Sequence, residues 1–221
     1  MICSQREFLA EVQPSEPPKD LIVLVADKNM KAAVGGLLSL NEQIGTRRIN
    51  IEGIYPHQKR DPGVYKFSPE FLRPFLRLTT YALALFDREG CGSELPRTEL
   101  EEDLERRLVA NGWQNRCAVV VIDPELENWV WGSSSQVATC LGWQENPLRD
   151  WLAEQGRWPA GTRKPPKPKE AIEAALRFKR IARSSSIYSD VAKAARFDRC
   201  TDAAFLKLRS TLQRWFPLAT A

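Results

Sequence analysis

Three short apolar runs constrain this chain more than anything else in it. LIVLVA (21–26), YALALF (81–86) and CAVVVI (117–122) are continuous, rich in Val, Leu, Ile and Ala, and each runs straight into an aspartate: Asp27, Asp87 and Asp123. Apolar runs without polar alternation suit strands covered on both faces. Between them lie stretches of helical spacing, such as DKNMKAAVGGLLSL with Asp27 at the cap position. Strands alternating with helices predict an α/β fold built on a mostly parallel sheet flanked by helices.

The intervening segments complete that reading. RINIEGIYP (48–56) reads as a further strand and QKRDPGVYK as a loop. SPEFLRPFLRLTT starts like a helix capped by Ser68 with Pro69 at its first position, and Pro74 should bend or shorten it. PRTELEEDLERRLVANG (96–112) has Thr98 and Glu101 at capping-box spacing, a Leu100, Leu104, Leu108 stripe and Gly112 at its end. DPELENWVWG should open a helix with Asp123 as cap. Four segments follow: an irregular lead-in (1–20), an α/β domain (21–156), a basic proline-rich linker RWPAGTRKPPKPK (157–169), and a basic helical C-terminal extension (170–221) packed on the domain.

Composition narrows the chemistry. The chain has 221 residues, 43% of them hydrophobic and 27% charged. Those proportions are ordinary for globular proteins. No run of about 18 apolar residues could span a membrane, and the N-terminus carries no signal-like apolar segment. The five cysteines (3, 91, 117, 140 and 200) form no C-x-x-C pair. That suits a reduced, cytoplasmic setting and argues against zinc. With His57 the single histidine, a histidine triad or multi-histidine metal site is improbable. Neither G-x-x-x-x-G-K-[ST] nor G-x-G-x-x-G occurs. The net charge of +4 conceals an asymmetry. Residues 1–156 hold 17 basic and 23 acidic side chains, a balance of −6, and residues 157–221 hold 15 and 5, a balance of +10.

The acids are the chemical signal. In a parallel sheet the carboxyl ends of the strands share one edge, where open α/β sheets bind ligands. Asp27, then Asp87 with Glu89, then Asp123 with Glu125 and Glu127, would all face that edge. Each acid alone is an ordinary helix cap. Together they repel one another, and a hard divalent cation relieves the repulsion. Oxygen donors alone suit Mg²⁺ or Mn²⁺, which keep waters and accept phosphate oxygens. Asp87 precedes REGCG, whose glycines permit a left-handed turn or close approach of backbone to a ligand.

LIVLVAD, LALFDREGCG and VVVIDPELENWVWG resemble the three motifs of a TOPRIM-like domain, in the branch of small defence-island proteins related to the OLD-family nucleases. KPKEAIEAAL, SSIYSDVAKAARFD and FLKLRSTLQRW resemble the C-terminal stretch of those proteins, so the likeness covers roughly residues 20–217. It implies a component of a bacterial anti-phage system, a Mg²⁺- or Mn²⁺-dependent nuclease with Asp27, Asp87, Glu89 and Glu127 as catalytic and metal-holding acids. The family has glutamate where Asp27 stands, usually followed by glycine rather than Lys28, and Asp-x-Asp where this chain has Asp87-Arg88-Glu89. These departures keep open a second reading: a non-catalytic accessory subunit of a multi-protein defence complex, with an ATPase, methyltransferase or nuclease as partner. A homodimer is also left open.

The remaining candidates follow from charge and position. Lys28, Lys164, Lys167, Lys169, Lys179, Arg180 and Arg183 are the cations expected to meet nucleic acid, DNA first, against the simpler reading of a solvated surface. His57, Glu125 and Lys193 are expected to support the acids from behind. Five of the seven tryptophans fall between 129 and 158. They read as helical core or as a partner or base-stacking surface.

Overall fold

A computed structural model describes residues 18–131, 135–194 and 200–218. Four strands form one sheet: β1 (Lys19–Val25), β2 (Ile51–Pro56), β3 (Thr79–Asp87) and β4 (Cys117–Ile122). Their order is β2-β1-β3-β4 and every pairing is parallel. The three apolar runs are therefore the three strands buried on both faces; Leu21 to Val25 and Ala82 to Phe86 have no solvent exposure.

Ten helices accompany the sheet among the described residues: α1 (Lys28–Leu38), α2 (Asn41–Ile44), α3 (Arg60–Leu72), α4 (Arg97–Ala110), α5 (Glu127–Val130), α6 (Ser135–Cys140), α7 (Glu145–Glu154), α8 (Pro168–Phe178), α9 (Ser185–Ala194) and α10 (Ala203–Trp215). The path from β1 to β2 runs one way along the sheet, and those from β2 to β3 and β3 to β4 run the other. Right-handed crossovers then put α1 on one face and α3 and α4 on the opposite face. The chain changes direction between β1 and β3, so their carboxyl ends flank the sheet's switch point, where a crevice opens.

Several local expectations are corrected. The segment read as a loop around residues 60–66 is the first half of α3, with Asp61 and Pro62 in its first turn. A proline there lacks no needed N–H. Ser68 is therefore mid-helix, its hydroxyl donating to the Val64 carbonyl, and not a cap. Pro74 does shorten the helix: α3 stops at Leu72 and one 3₁₀ turn follows. The capping box at Thr98 and Glu101 does not form, because Glu101 is turned inward. Its Oε1 accepts the Val121 N–H at 3.0 Å, and Glu105 accepts the Val119 N–H at 2.9 Å. Lys207 of α10 reaches both carboxylates, at 3.2 and 2.8 Å. Asp123 caps no helix; its side chain pairs with Arg88 at 2.7 Å, and α5 begins only at Glu127. The sheet expected to be mostly parallel is wholly so. The lead-in lies outside the described residues up to 17, and β1 already begins at Lys19.

Gly36 has a packing reason. A Cβ there would lie 2.7 Å from the Ser189 carbonyl oxygen, so glycine lets α9 lie close against α1. Two apolar cores result. The larger surrounds the sheet and takes in Tyr188 of α9 and Phe205, Leu208, Leu212 and Phe216 from the C-terminal end. The smaller joins Trp131, Val137, Leu141 and Trp143 to Leu148, Ile172 and Leu176. The proline-rich segment is fixed between them. Trp131 donates to the Pro168 carbonyl at 2.9 Å, Trp158 to that of Thr162 at 3.1 Å, and Lys164 to that of Asn128 at 2.8 Å.

Candidate functional site

At the switch point a cleft of about 770 Å³ opens over the carboxyl ends of β1 and β3. Asp27 follows β1, Asp87 ends β3, Glu89 and Gly90 follow it, Glu125 lies beyond β4, and Asp61 opens α3. Lys59, Arg60, Lys167 and Lys169 stand around them, with Glu170 beside Lys167. Acids thus gather at the strand ends, and cations come from the start of α3 and the start of α8.

Backbone geometry fixes the acids. Asp27 is the N-cap of α1, its Oδ1 accepting the N–H groups of Asn29 and Met30 at 2.9 Å each. The turn after Asp87 is tied to the end of β4: Arg88 N–H donates to the Ile122 carbonyl at 2.8 Å and Glu89 N–H to that of Pro124 at 3.0 Å. Gly90 has φ +88° and Gly92 has φ +81°. Both lie in the left-handed region, which glycine enters without steric cost. The Asp87 N–H donates to Asp61 Oδ1 at 2.8 Å, joining α3 to β3. Glu125 Oε1 accepts the Lys169 N–H at 2.9 Å, joining the β4 turn to the first turn of α8.

Asp87 is the exceptional group. Its Oδ1 is shut off from solvent and has no hydrogen-bond partner. Burial pushes its carboxyl well above the usual range, and repulsion from Asp61, then Glu127, Glu125 and Asp27, pushes it further. Burial also raises Asp61, against the opposing Asp87 N–H, and raises Glu125, against the Lys169 N–H. Three carboxyls in one cleft are therefore displaced in the same direction.

The structure gathers Asp27, Asp87, Glu89, Glu125, Lys167 and Lys169 and leaves the other expected residues elsewhere. Glu127 is buried behind the cleft, its Oε1 accepting the Tyr188 hydroxyl at 2.6 Å and Arg183 Nη2 at 3.0 Å. Arg183 is thus an internal partner, and it also pairs with Glu173. The Tyr188 hydroxyl is pushed up by burial, then by Glu127. His57 stacks on Phe67 and accepts the Lys59 N–H at 3.0 Å, resting over Gly63 where any Cβ would collide with it. Burial, then Lys59, lowers its pKa, and it stands outside the cleft lining. Lys28 lines a separate groove with Lys31 and Ser185. Lys164 is committed to Asn128, Lys179 lies over Trp143 at 4.4 Å, and Arg180 and Lys193 lie outside the cleft lining. Asp61, with Lys59 and Arg60 beside it, is what sequence reasoning left out of the site. Its signal was present: an Asp-Pro pair just past a strand end marks a helix start on the same sheet edge.

The donor set is all oxygen, which fits a hard cation. The partnerless Asp87 oxygen lacks any other neutralising contact. Among the described residues no three acid, histidine or cysteine side chains stand close enough to hold one ion by themselves. Mg²⁺ commonly takes only one or two carboxylates and completes its shell with water and phosphate oxygens, so the donors present fit that use.

The architecture defines an α/β protein with a four-stranded, all-parallel sheet flanked by helices. No family model matches the chain, and no curated protein or solved structure matches it either. No helix among the described residues is long and apolar enough to cross a membrane.

Proposed function

We propose that this protein is a TOPRIM-like enzyme acting on phosphodiesters, a Mg²⁺- or Mn²⁺-dependent nuclease of a cytoplasmic bacterial anti-phage system. One observation carries the chemistry: a buried, partnerless Asp87 oxygen among acids whose carboxyls are raised together. The defence setting rests on the motif resemblance alone. Asp87, with Glu89 after it, is the main cation holder, and Asp27 and Asp61 complete the acidic wall. When bound, the cation polarises the phosphate and stabilises charge on the attacking and departing oxygens. Lys59, Arg60, Lys167 and Lys169 receive the flanking phosphates, with nucleic acid, DNA first, as substrate. In the reaction, water's oxygen forms a bond to phosphorus, the bond to one ester oxygen breaks, and that oxygen takes up a proton. Glu127 stands behind Asp87, so Tyr188 and Arg183 position it and it does not form the cleft wall.

A second reading has its own support. Asp27 caps α1 and Glu127 is held by Tyr188 and Arg183, so two of the four family-type acids already have partners within the fold. An accessory subunit with a weakened site would use a partner ATPase, methyltransferase or nuclease for the reaction.

Calorimetric titration with Mg²⁺ and Mn²⁺, on the wild type and on Asp87→Ala, tests both. Binding lost in Asp87→Ala together with strand cleavage supports the enzyme. Binding without cleavage supports the accessory subunit. A folded wild type that binds neither ion, with or without an oligonucleotide, overturns the metal site.

A further inference from the structure

Away from the cleft, the far end of α8 carries a group of aromatic rings at the surface. Phe178, the last residue of that helix, is 58% exposed. Its ring stacks on Trp143, with centroids 5.2 Å apart and planes at 29°, and lies 4.9 Å from the ring of Trp151. The two indoles themselves meet at 5.1 Å. Trp143 is buried, and its N–H donates to the Ala175 carbonyl at 3.2 Å. Phe178 therefore rests on a fixed aromatic base, with much of its ring open to solvent.

The surround is cationic. Between Ala174 and Ser189 the chain has Arg177, Lys179, Arg180 and Arg183 and no acid. Arg183 is committed to Glu127 and Glu173, but Arg177, Lys179 and Arg180 are exposed. The helix ends in a Schellman motif: Ile181 N–H donates to the Leu176 carbonyl at 2.9 Å and Arg180 N–H to that of Arg177 at 3.1 Å. The residue at the left-handed position of that motif is usually glycine. Here it is Arg180, at φ +56°. A side chain is kept there against a steric cost, two residues beyond Phe178. The adjoining α7 carries Glu145, Asp150 and Glu154 against the single cation Arg149, so the excess of positive charge comes from the end of α8.

We infer that Phe178, backed by Trp143 and Trp151 and edged by Lys179 and Arg180, is a stacking platform for single-stranded nucleic acid. An aromatic face accepts any unpaired base, and adjacent cations take the phosphates. A duplex cannot use it, because its bases are already stacked on one another. The charge complementarity favours a polyanion over a protein partner. The platform shares its ligand class with the phosphodiester reading but not its metal site. The two lie at opposite ends of α8, a helix of 11 residues. At the rise of an α-helix that length separates them by roughly 16 Å.

The test is fluorescence anisotropy in EDTA with labelled oligo-dT, oligo-rU and a duplex of equal length, alongside tryptophan emission. The wild type should bind both single strands with quenching, and bind the duplex more weakly. Phe178→Ala should weaken single-strand binding by about tenfold, while Phe178→Trp retains it. Arg180→Gly relieves the left-handed residue, so it should fold at least as stably as the wild type and yet bind more weakly, with a salt slope lower by about 0.7. Because the strands are titrated in EDTA, this readout does not depend on the cation, and a Mg²⁺ titration of the same wild-type protein reads the metal site separately. Absence of single-strand binding by the folded wild type, or unchanged binding in Phe178→Ala, overturns the inference. So does a Phe178→Ala effect confined to self-association in sedimentation, which would assign the rings to a protein contact.

Discussion

The chain places two groups of acids around one sheet and treats them in opposite ways. Beside the outer strand β4, Glu101 is 3% exposed, yet it accepts the Val121 N–H and bonds to both Arg97 and Lys207. Its neighbour Glu105 accepts the Val119 N–H and shares Lys207. At the carboxyl ends of the strands, Asp87, Asp61 and Glu125 repel one another, and one Asp87 oxygen has no partner at all. A buried carboxylate is costly unless it is paired and hydrogen-bonded. The acids beside β4 meet that condition within the fold, and at the strand ends Asp87 leaves it to something outside. What separates a structural acid from a site acid here is its unfilled bonding capacity, since both kinds are buried and both are clustered.

Four measurements bear on that contrast. Glu101→Ala should cost the most, about 3–5 kcal/mol by urea denaturation, because it strands Arg97 and a strand N–H and takes from Lys207 one of its two carboxylates. A loss under about 1 kcal/mol, the size of a single ordinary hydrogen bond, would remove the distinction between the two groups. Next, Mg²⁺ at about one hundred times its dissociation constant should stabilise the wild type by about 2.7 kcal/mol and leave Asp87→Ala unmoved. Equal stabilisation of both would place the ion elsewhere.

The third is a pH effect of about 1 kcal/mol. Asp87, Asp61 and Glu125 titrate higher in the folded protein than in the unfolded chain. Below the ordinary carboxylate range both states hold these protons, and the stability they contribute is complete. As pH rises through that range toward the raised folded values, the unfolded chain releases its protons first and stability falls. Asp87→Asn should flatten this descent in urea melts taken across roughly pH 3–8, a range that covers ordinary and shifted carboxylate values. An unchanged slope would mean that Asp87 is not repelled as the geometry implies. Smallest is Asp123→Ala. That acid also ends a strand, and its pairing with Arg88 is exposed. Its loss should cost about 0.5 kcal/mol or less in the same melts.

The fold was largely legible because β1, β3 and β4 are written as uninterrupted apolar runs, and burial on both faces leaves no other pattern. The end of β4 at Ile122 and the packed C-terminal helices followed from the same periodicities. Side-chain direction was not legible. Thr98 and Glu101 have the spacing of a capping box, yet an edge strand with two open N–H groups makes a stronger claim on Glu101 and Glu105. Glu127 and Glu125 are two residues apart, and only the short, late start of α5 decides that Glu127 turns to Tyr188 while Glu125 turns to α8. Asp61 escaped because KRDPG resembles a turn, while Pro62 sits in the first turn of α3. Proline is equally at home in either place. Two glycines in succession lower helix propensity within α1, and the reason for Gly36 is a tertiary contact with Ser189 that no local pattern carries.

The bonds from Glu101 and Glu105 to β4 also decide how the molecule can fail. An outer strand with bare N–H groups is a template on which another chain can lay its own backbone, the first step toward insoluble fibres. Here two of those groups are occupied by carboxylates of the same chain, and Lys207 adds a charge over them. On that side, the sheet cannot grow into a neighbour without first losing bonds it already has.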